Sequence, residues 1–233
     1  MPKIKVSKAK ANSAQSTKAT PDSVSLILPY LYIGPCSATS STSTFLARQG
    51  ITHIISVGKK PNSTRDGITY LRLTIEDNPS ADLSKACTEA TAFIDQARGA
   101  KNAKPSKIFV HCSAGISRSP AVVAFYLMQR CDMSLRRALG LIVRARPNAC
   151  PNYGFVVQLK QAEVDLRGSS SLPPDLMFLP SKKEERLAFL EEDPQLDDGN
   201  VESSKSASMS GNIGKQHGKF LRRLMAVNSA ESP

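Results

Sequence analysis

The stretch KIFVHCSAGISRSPAVVAFYLMQR, residues 107–130, constrains the fold of this chain more than any other. Its last part, 119–130, is apolar on almost every side, and a helix of that kind belongs inside a core rather than on a surface. Residues 107–111, KIFVH, read as a β-strand that leads into it. Four earlier segments also read as strands rich in branched and aromatic residues: SLIL and YLYIG on either side of Pro29, ITHIISV at 51–57 and ITYLRLT at 68–74. Between them STSTFLARQ has hydroxyl N-cap candidates and stops at Gly50, as a short helix does. Residues 84–98 place Ala86, Ala90, Phe93 and Ala97 on one helical face before Gly99. Two more helices are expected at 134–145, opened by Ser134, and at 152–167, opened by Asn152 after a proline. The expected class is α/β, with a central mixed, mostly parallel sheet flanked by helices.

The chain has 233 residues, 40% of them hydrophobic, which suits one globular domain with extra sequence. Residues 1–23 hold hardly any large apolar side chain and read as a disordered basic arm; 24–168 carry the clean hydrophobic periods and form the expected folded domain, where the function should lie. Residues 169–233, with their Ser, Pro and acidic clusters, read as a mostly disordered tail. The longest apolar run is 121–128, too short for a bilayer span, and MPKIKVSKAK lacks the apolar centre of a secretory signal. A soluble protein of the cytoplasm, the nucleus or both is expected. The five cysteines, Cys36, Cys87, Cys112, Cys131 and Cys150, include no CxxC pair, so neither a disulfide framework nor a structural zinc site is supported. The net charge of +11 divides as +5 over residues 1–20, +8 over 21–168 and −2 over 169–233. Without aromatic residues among its lysines the arm lacks stacking platforms, and no nucleic-acid partner is expected.

HCSAGISRSP, residues 111–120, lies where the buried strand ends and the buried helix begins. A loop at that junction can turn its N–H groups inward, the helix N-terminus adds partial positive charge, and Gly115 permits the tight path. Five residues separate Cys112 from Arg118, enough to wrap one phosphate with the sulfur beneath the phosphorus. Oriented amides, a helix N-terminus and a nearby arginine all favour the thiolate and lower a cysteine pKa to roughly 3.5–7.5. Expulsion of an alkoxide or phenoxide then needs a general acid. Asp77, in TIEDNPSADL after a strand, is the candidate; Glu76 has the opposite side-chain phase and Asp82 is better placed to cap the 84–98 helix. His111 adjoins Cys112 on one strand, so its side chain takes the opposite face and does not suit a thiol-protease base.

HCxxGxxR followed by Ser, an upstream Asp loop and RPNACPNYGF at 146–155 together resemble the dual-specificity group of protein tyrosine phosphatases, over about residues 24–168. The resemblance implies the protein tyrosine phosphatase-like α/β fold, no metal and no cofactor. It implies Cys112 as nucleophile, Arg118 as clamp for the phosphate and transition state, and Asp77 as acid and then as base for the hydrolytic water. Ser119 matches the hydroxyl that hydrogen-bonds the sulfur, His111 the residue that tunes the thiolate from behind, and Asn152 an asparagine that braces the loop. Ser113, Ala114, Gly115, Ile116 and Ser117, with Arg118, would enclose the phosphate.

Those five loop positions carry no basic side chain, which disfavours lipid, glucan or nucleic-acid phosphates and favours a phosphoprotein. The AGIS core is similar to that of the MAP-kinase phosphatases, so a small, atypical member of the group acting on phosphotyrosine and phosphoserine or phosphothreonine is expected. Arg144 and Arg146 are candidates for a second substrate phosphate, or else for a charged helix end. KFLRRLMAV, residues 219–227, is similar to kinase docking peptides and makes a MAP kinase the candidate partner. The rival readings are a phosphoprotein-binding module without turnover and a phosphatase of a non-protein substrate.

Overall fold

A computed structural model describes residues 24–99 and 105–191. The basic arm 1–23, residues 192–233, the KFLRRLMAV segment and His217 lie outside the described residues. Strands β1 (Ser25–Leu28), β2 (Leu31–Pro35), β3 (His53–Val57), β4 (Thr69–Leu73) and β5 (Ile108–Cys112) form a sheet in the order β1-β2-β5-β3-β4. β1 runs antiparallel to β2 and the other neighbours pair in parallel, so the sheet is mixed and mostly parallel. A 3-10 turn (Cys36–Thr39) and α1 (Phe45–Gln49) link β2 to β3, and α2 (Ser84–Gly99) crosses from β4 towards β5. Helices α3 (Arg118–Arg130), α4 (Leu135–Ala145), α5 (Tyr153–Arg167) and α6 (Lys183–Glu191) follow.

Strand periodicity divides the core between the two faces of the sheet. Leu31, Ile33, Ile55, Val57, Ile108, Val110 and Cys112 face a large core shared with α2 to α5. Tyr32, Ile54 and Phe109 face a smaller one closed by Leu46 of α1. Residues 121–128 of α3 are all buried, which is why that helix needs no polar stripe. Ser134 accepts a hydrogen bond from the Arg137 amide, and Asn152 accepts one from Phe155, so both expected caps form. Asp82 accepts from the Ser84 amide at 2.8 Å, just ahead of α2. Thr44 makes no side-chain cap for α1, whose brevity is offset by the αL glycine that ends it. In α2 the buried face is Ala86, Ala90, Ile94 and Ala97 with Cys87 and Thr91; Phe93 packs at its margin against the His53 ring.

Ordered packing continues past Gly168, where the sequence reading set the end of the domain. Leu172, Leu179 and Leu190 are buried. The buried Glu163 carboxylate accepts from the Leu135 amide at 2.7 Å, the Ser171 amide at 2.8 Å and the Ser170 and Ser171 hydroxyls. Lys160 donates to the carbonyls of Pro173, Pro174 and Leu176, and Arg136 donates to the carbonyls of Ser171 and Phe189. A polar composition hides this strap in the sequence, because buried charges rather than an apolar period attach it. Each leucine buried is worth about 1.5–3 kcal/mol. A chain ending at residue 168 should therefore be less stable than one ending at 191, by about 3 kcal/mol or more in urea denaturation; equal midpoints would show that the strap contributes nothing.

Candidate active site

β5 delivers Cys112 to the carboxyl end of the parallel strands, and the loop 113–117 carries the chain into α3, which starts at Arg118. Each carbonyl of that loop is taken by a donor from outside it. Ser113 accepts from the Cys36 amide at 3.1 Å, Ile116 from the Cys150 amide at 2.7 Å and Ser117 from the Ala121 amide. Arg146 serves the middle two, with Nε to the Gly115 carbonyl at 2.6 Å and Nη2 to the Ala114 carbonyl at 2.8 Å. Carbonyls drawn outward leave the opposite, N–H, edges of their peptides facing inward, as an anion nest requires. Gly115 has φ +68°, and a Cβ there would come within 2.6 Å of the Gly34 backbone, so the loop can lie on β2 only with glycine at this point.

At the centre of this ring, Cys112 Sγ accepts from the Gly115 amide at 3.2 Å and from Ser119 Oγ at 3.4 Å. Burial alone raises the thiol's pKa. The hydroxyl and amide of Ser119, the Gly115 amide and the positive charge of Arg118 together outweigh it, so the pKa lies below the ordinary value. Arg118 Nη2 donates to Ser113 Oγ at 3.1 Å, while its Nε is buried without a hydrogen bond and lies 3.5 Å from Asp77 Oδ2. Gly58, at φ +79°, lies behind this guanidinium: a Cβ there would sit 2.2 Å from Arg118 Nη1 and 2.3 Å from the Ile75 carbonyl.

Asp77 Oδ1 accepts from Ser117 Oγ at 2.7 Å and from Asn152 Nδ2 at 2.9 Å. The Asn152 amide donates to that same Ser117 hydroxyl at 3.0 Å, so one asparagine caps α5, reaches the loop and orients the carboxylate. Asp77 is thus brought beside Arg118, whereas Glu76 lines a separate cleft of about 550 Å³ with Arg72 and Lys85. His111 lies on the opposite face of the sheet from Cys112, stacked on Phe109, with Nε2 2.9 Å from Ser56 Oγ and Nδ1 3.4 Å from the Cys112 carbonyl. Desolvation lowers its pKa to about 4, with the Cys112 carbonyl opposing, so it is neutral at pH 7. Of the two arginines considered for a second phosphate, Arg146 is buried behind the loop and Arg144 pairs at the surface with Glu191 of α6 at 3.4 Å. The sequence reading missed Arg146 as a loop tie and Gly58 as a backing. The only signals are an arginine at a helix end before a proline and a glycine just after a strand. Among the described residues no three His, Cys, Asp or Glu side chains cluster to hold a metal, and no helix is long and apolar enough to cross a membrane.

Residues 31–165 match the family described as dual specificity phosphatase, catalytic domain. The chain is similar to dual specificity protein phosphatase 7 of Homo sapiens, 41% identical over 147 residues that cover 62% of this chain and 34% of that protein. It is also similar to MAP kinase phosphatase with leucine-rich repeats protein 2 of Dictyostelium discoideum, 32% identical over 141 residues, 60% of this chain and 19% of that one. The chain thus spans about a third or less of these relatives. Among solved structures it is similar to a mouse putative dual specificity phosphatase complexed with zinc tungstate, with TM-score 0.57 and 33% identity over 67% of this chain and 96% of that one. A human tyrosine phosphatase-like serine/threonine/tyrosine-interacting protein gives TM-score 0.56 and 34% identity over 60% and 95%.

Two outcomes follow from the geometry. Gly58→Ala should push the Arg118 guanidinium out of place and weaken the binding of inorganic phosphate by about tenfold or more in calorimetric titration; unchanged affinity would show that Gly58 does not back the arginine. His111 contributes stability that is complete above its unfolded pKa near 6.5 and is lost as pH falls towards about 4. Between pH 7 and pH 5 the wild type should therefore lose about 2 kcal/mol more than His111→Gln in denaturant titrations. Equal losses would mean that the imidazole charges freely in the fold.

Proposed function

The chain belongs to the dual specificity phosphatase family, and from that membership and the geometry of the loop we propose that it removes phosphate from tyrosine and from serine or threonine in proteins through a phosphocysteine intermediate. The observation that carries this reading is Cys112 Sγ, buried under two hydrogen bonds inside a loop whose carbonyls all point away from it. In the first step the Cys112 thiolate attacks phosphorus in line. An S–P bond forms as the P–O bond to the leaving oxygen breaks. The loop amides and Arg118 hold the three peripheral oxygens, whose charge they stabilise in the transition state. Asp77, held at the mouth by Ser117 and Asn152, delivers its proton to the leaving oxygen. In the second step the same carboxylate takes a proton from water, the water oxygen bonds to phosphorus and the S–P bond breaks. Ser119 Oγ, within hydrogen-bond distance of the sulfur, eases its departure as thiolate.

Several features support a protein monoester as substrate. No basic side chain occupies positions 113–117. Arg146 is occupied behind the loop and Arg144 at α6, so neither stands ready for a second phosphate. Half-exposed Ile116 within the loop and Tyr153, next to Asn152, give the mouth an apolar edge suited to a peptide. A MAP kinase is the proposed phosphoprotein, supported by the AGIS core and by the likeness to a MAP kinase phosphatase. A binding module without turnover is not favoured, because nucleophile, arginine and acid are all present and adjacent.

Phosphate release is the test, measured on peptides bearing phosphotyrosine or phosphothreonine, on a phosphorylated MAP kinase and on a phosphoinositide. Release from both residue types is expected, abolished in Cys112→Ser with phosphate binding retained. Asp77→Asn should lower kcat by about 10²–10⁴-fold on peptides, and by less on an aryl phosphate whose leaving group needs no proton. Release from the lipid alone would overturn the substrate class, and full activity of Asp77→Asn on peptides would overturn the acid.

A further inference from the structure

We infer that Arg186, on α6 and outside the residues that match the family, is a positioning residue for the phosphate loop, acting through the 146–147 turn. The inference rests on the phosphatase reading above for its kinetic consequence, but not for its geometry. Arg186 is 3% exposed, and its guanidinium gathers three carbonyls from two pieces of chain. Nη2 donates to the Pro147 carbonyl at 2.9 Å, and Nη1 donates to the carbonyls of Pro180 and Ser181. Pro147 directly follows Arg146, whose own guanidinium holds the Gly115 and Ala114 carbonyls. Four links therefore run from α6 to the sulfur: Arg186, Pro147, Arg146 and the Ala114–Gly115 peptide, whose carbonyl accepts from Arg146 Nη2 and whose N–H donates to Cys112 Sγ.

Burying a guanidinium costs much of its hydration, and only well-aligned acceptors offset that cost. At Arg186 the acceptors are carbonyl dipoles from the strap and from the turn before Asn152, two segments that its guanidinium bridges. A lysine carries the charge but not the planar fork, and it cannot hold both segments in the same way. If α6 served only to cover the core, leucine packing and the Arg136 bonds to Ser171 and Phe189 would suffice, since they already fasten the strap to α4. Arg186 is distinguished by what it touches: the one turn that presents Arg146 to the loop.

The test uses the full chain as wild type, Arg186→Met, Arg186→Lys and Arg136→Met, the last loosening the same strap without reaching Pro147. Three quantities are read: thermal midpoint, kcat and KM on a small aryl phosphate, and the pH midpoint of Cys112 alkylation by iodoacetamide at a temperature where every variant is folded. Both methionine variants should lose thermal stability. In Arg186→Met alone, kcat should fall about tenfold, as expected when an aligned donor shifts by a fraction of an ångström, and the alkylation midpoint should rise. Arg186→Lys should fall between Arg186→Met and wild type in both, and it carries the comparison if the methionine variant does not fold. An alkylation midpoint unchanged in the Arg186 variants, or moved as far by Arg136→Met, would overturn the inference. Should wild type release no phosphate, the phosphatase reading fails while the alkylation midpoints still decide the positioning role.

Discussion

An anion nest in a protein interior depends on where its carbonyls go. A peptide that turns its N–H towards a ligand sends its C=O the other way, into protein, where an unpaired acceptor costs as much as a lost hydrogen bond. In this chain the cost is met residue by residue. The β2 end supplies Cys36, the α4–α5 turn supplies Arg146 and Cys150, and the first turn of α3 supplies Ala121. Remove those donors and the loop has no reason to keep its amides around Cys112. The parallel order of β2, β5 and β3 matters because it brings the three strand ends and the α4–α5 turn to one side of the sheet.

Electrostatics follow from that arrangement. The sulfur is buried, which by itself disfavours the thiolate, and the amides, the Ser119 hydroxyl and Arg118 reverse the sign. The imidazole of His111, one residue away, is kept neutral by its burial on the other face, where it stacks on Phe109 of its own strand and meets Ser56 of β3. Adjacent residues on one strand thus have opposite ionisation behaviour, set by which face each side chain takes.

Much of this was legible in the sequence, and the reason is the length scale of each signal. The spacing of Cys112 and Arg118, the alternation that parts His111 from Cys112, and the Ser134 and Asn152 caps are local patterns that survive any packing. The all-round apolar α3 reads as buried because no other environment suits it. Arg146 and Arg186 were not legible as loop supports, since an arginine in VRARPNAC or in KKEERLAFLEE looks the same whether it meets water or a carbonyl. The 169–191 strap escaped for the same reason: buried Leu172, Leu179 and Leu190 are too sparse to mark out a helix or strand, and its anchors are Glu163, Lys160 and Arg136 on other elements. Gly58 reads as an ordinary turn glycine until Arg118 is seen behind it.

The proposed chemistry requires the loop to hold Cys112 as a thiolate at neutral pH. Thiolate absorbance in the ultraviolet, taken as the difference between wild type and Cys112→Ser across a pH titration, measures this directly. A midpoint well below the value near 8.5 of a free cysteine, rising when inorganic phosphate fills the loop, is the predicted result. A midpoint at or above that value without ligand would mean that burial wins over the amides and Arg118, and would contradict the account.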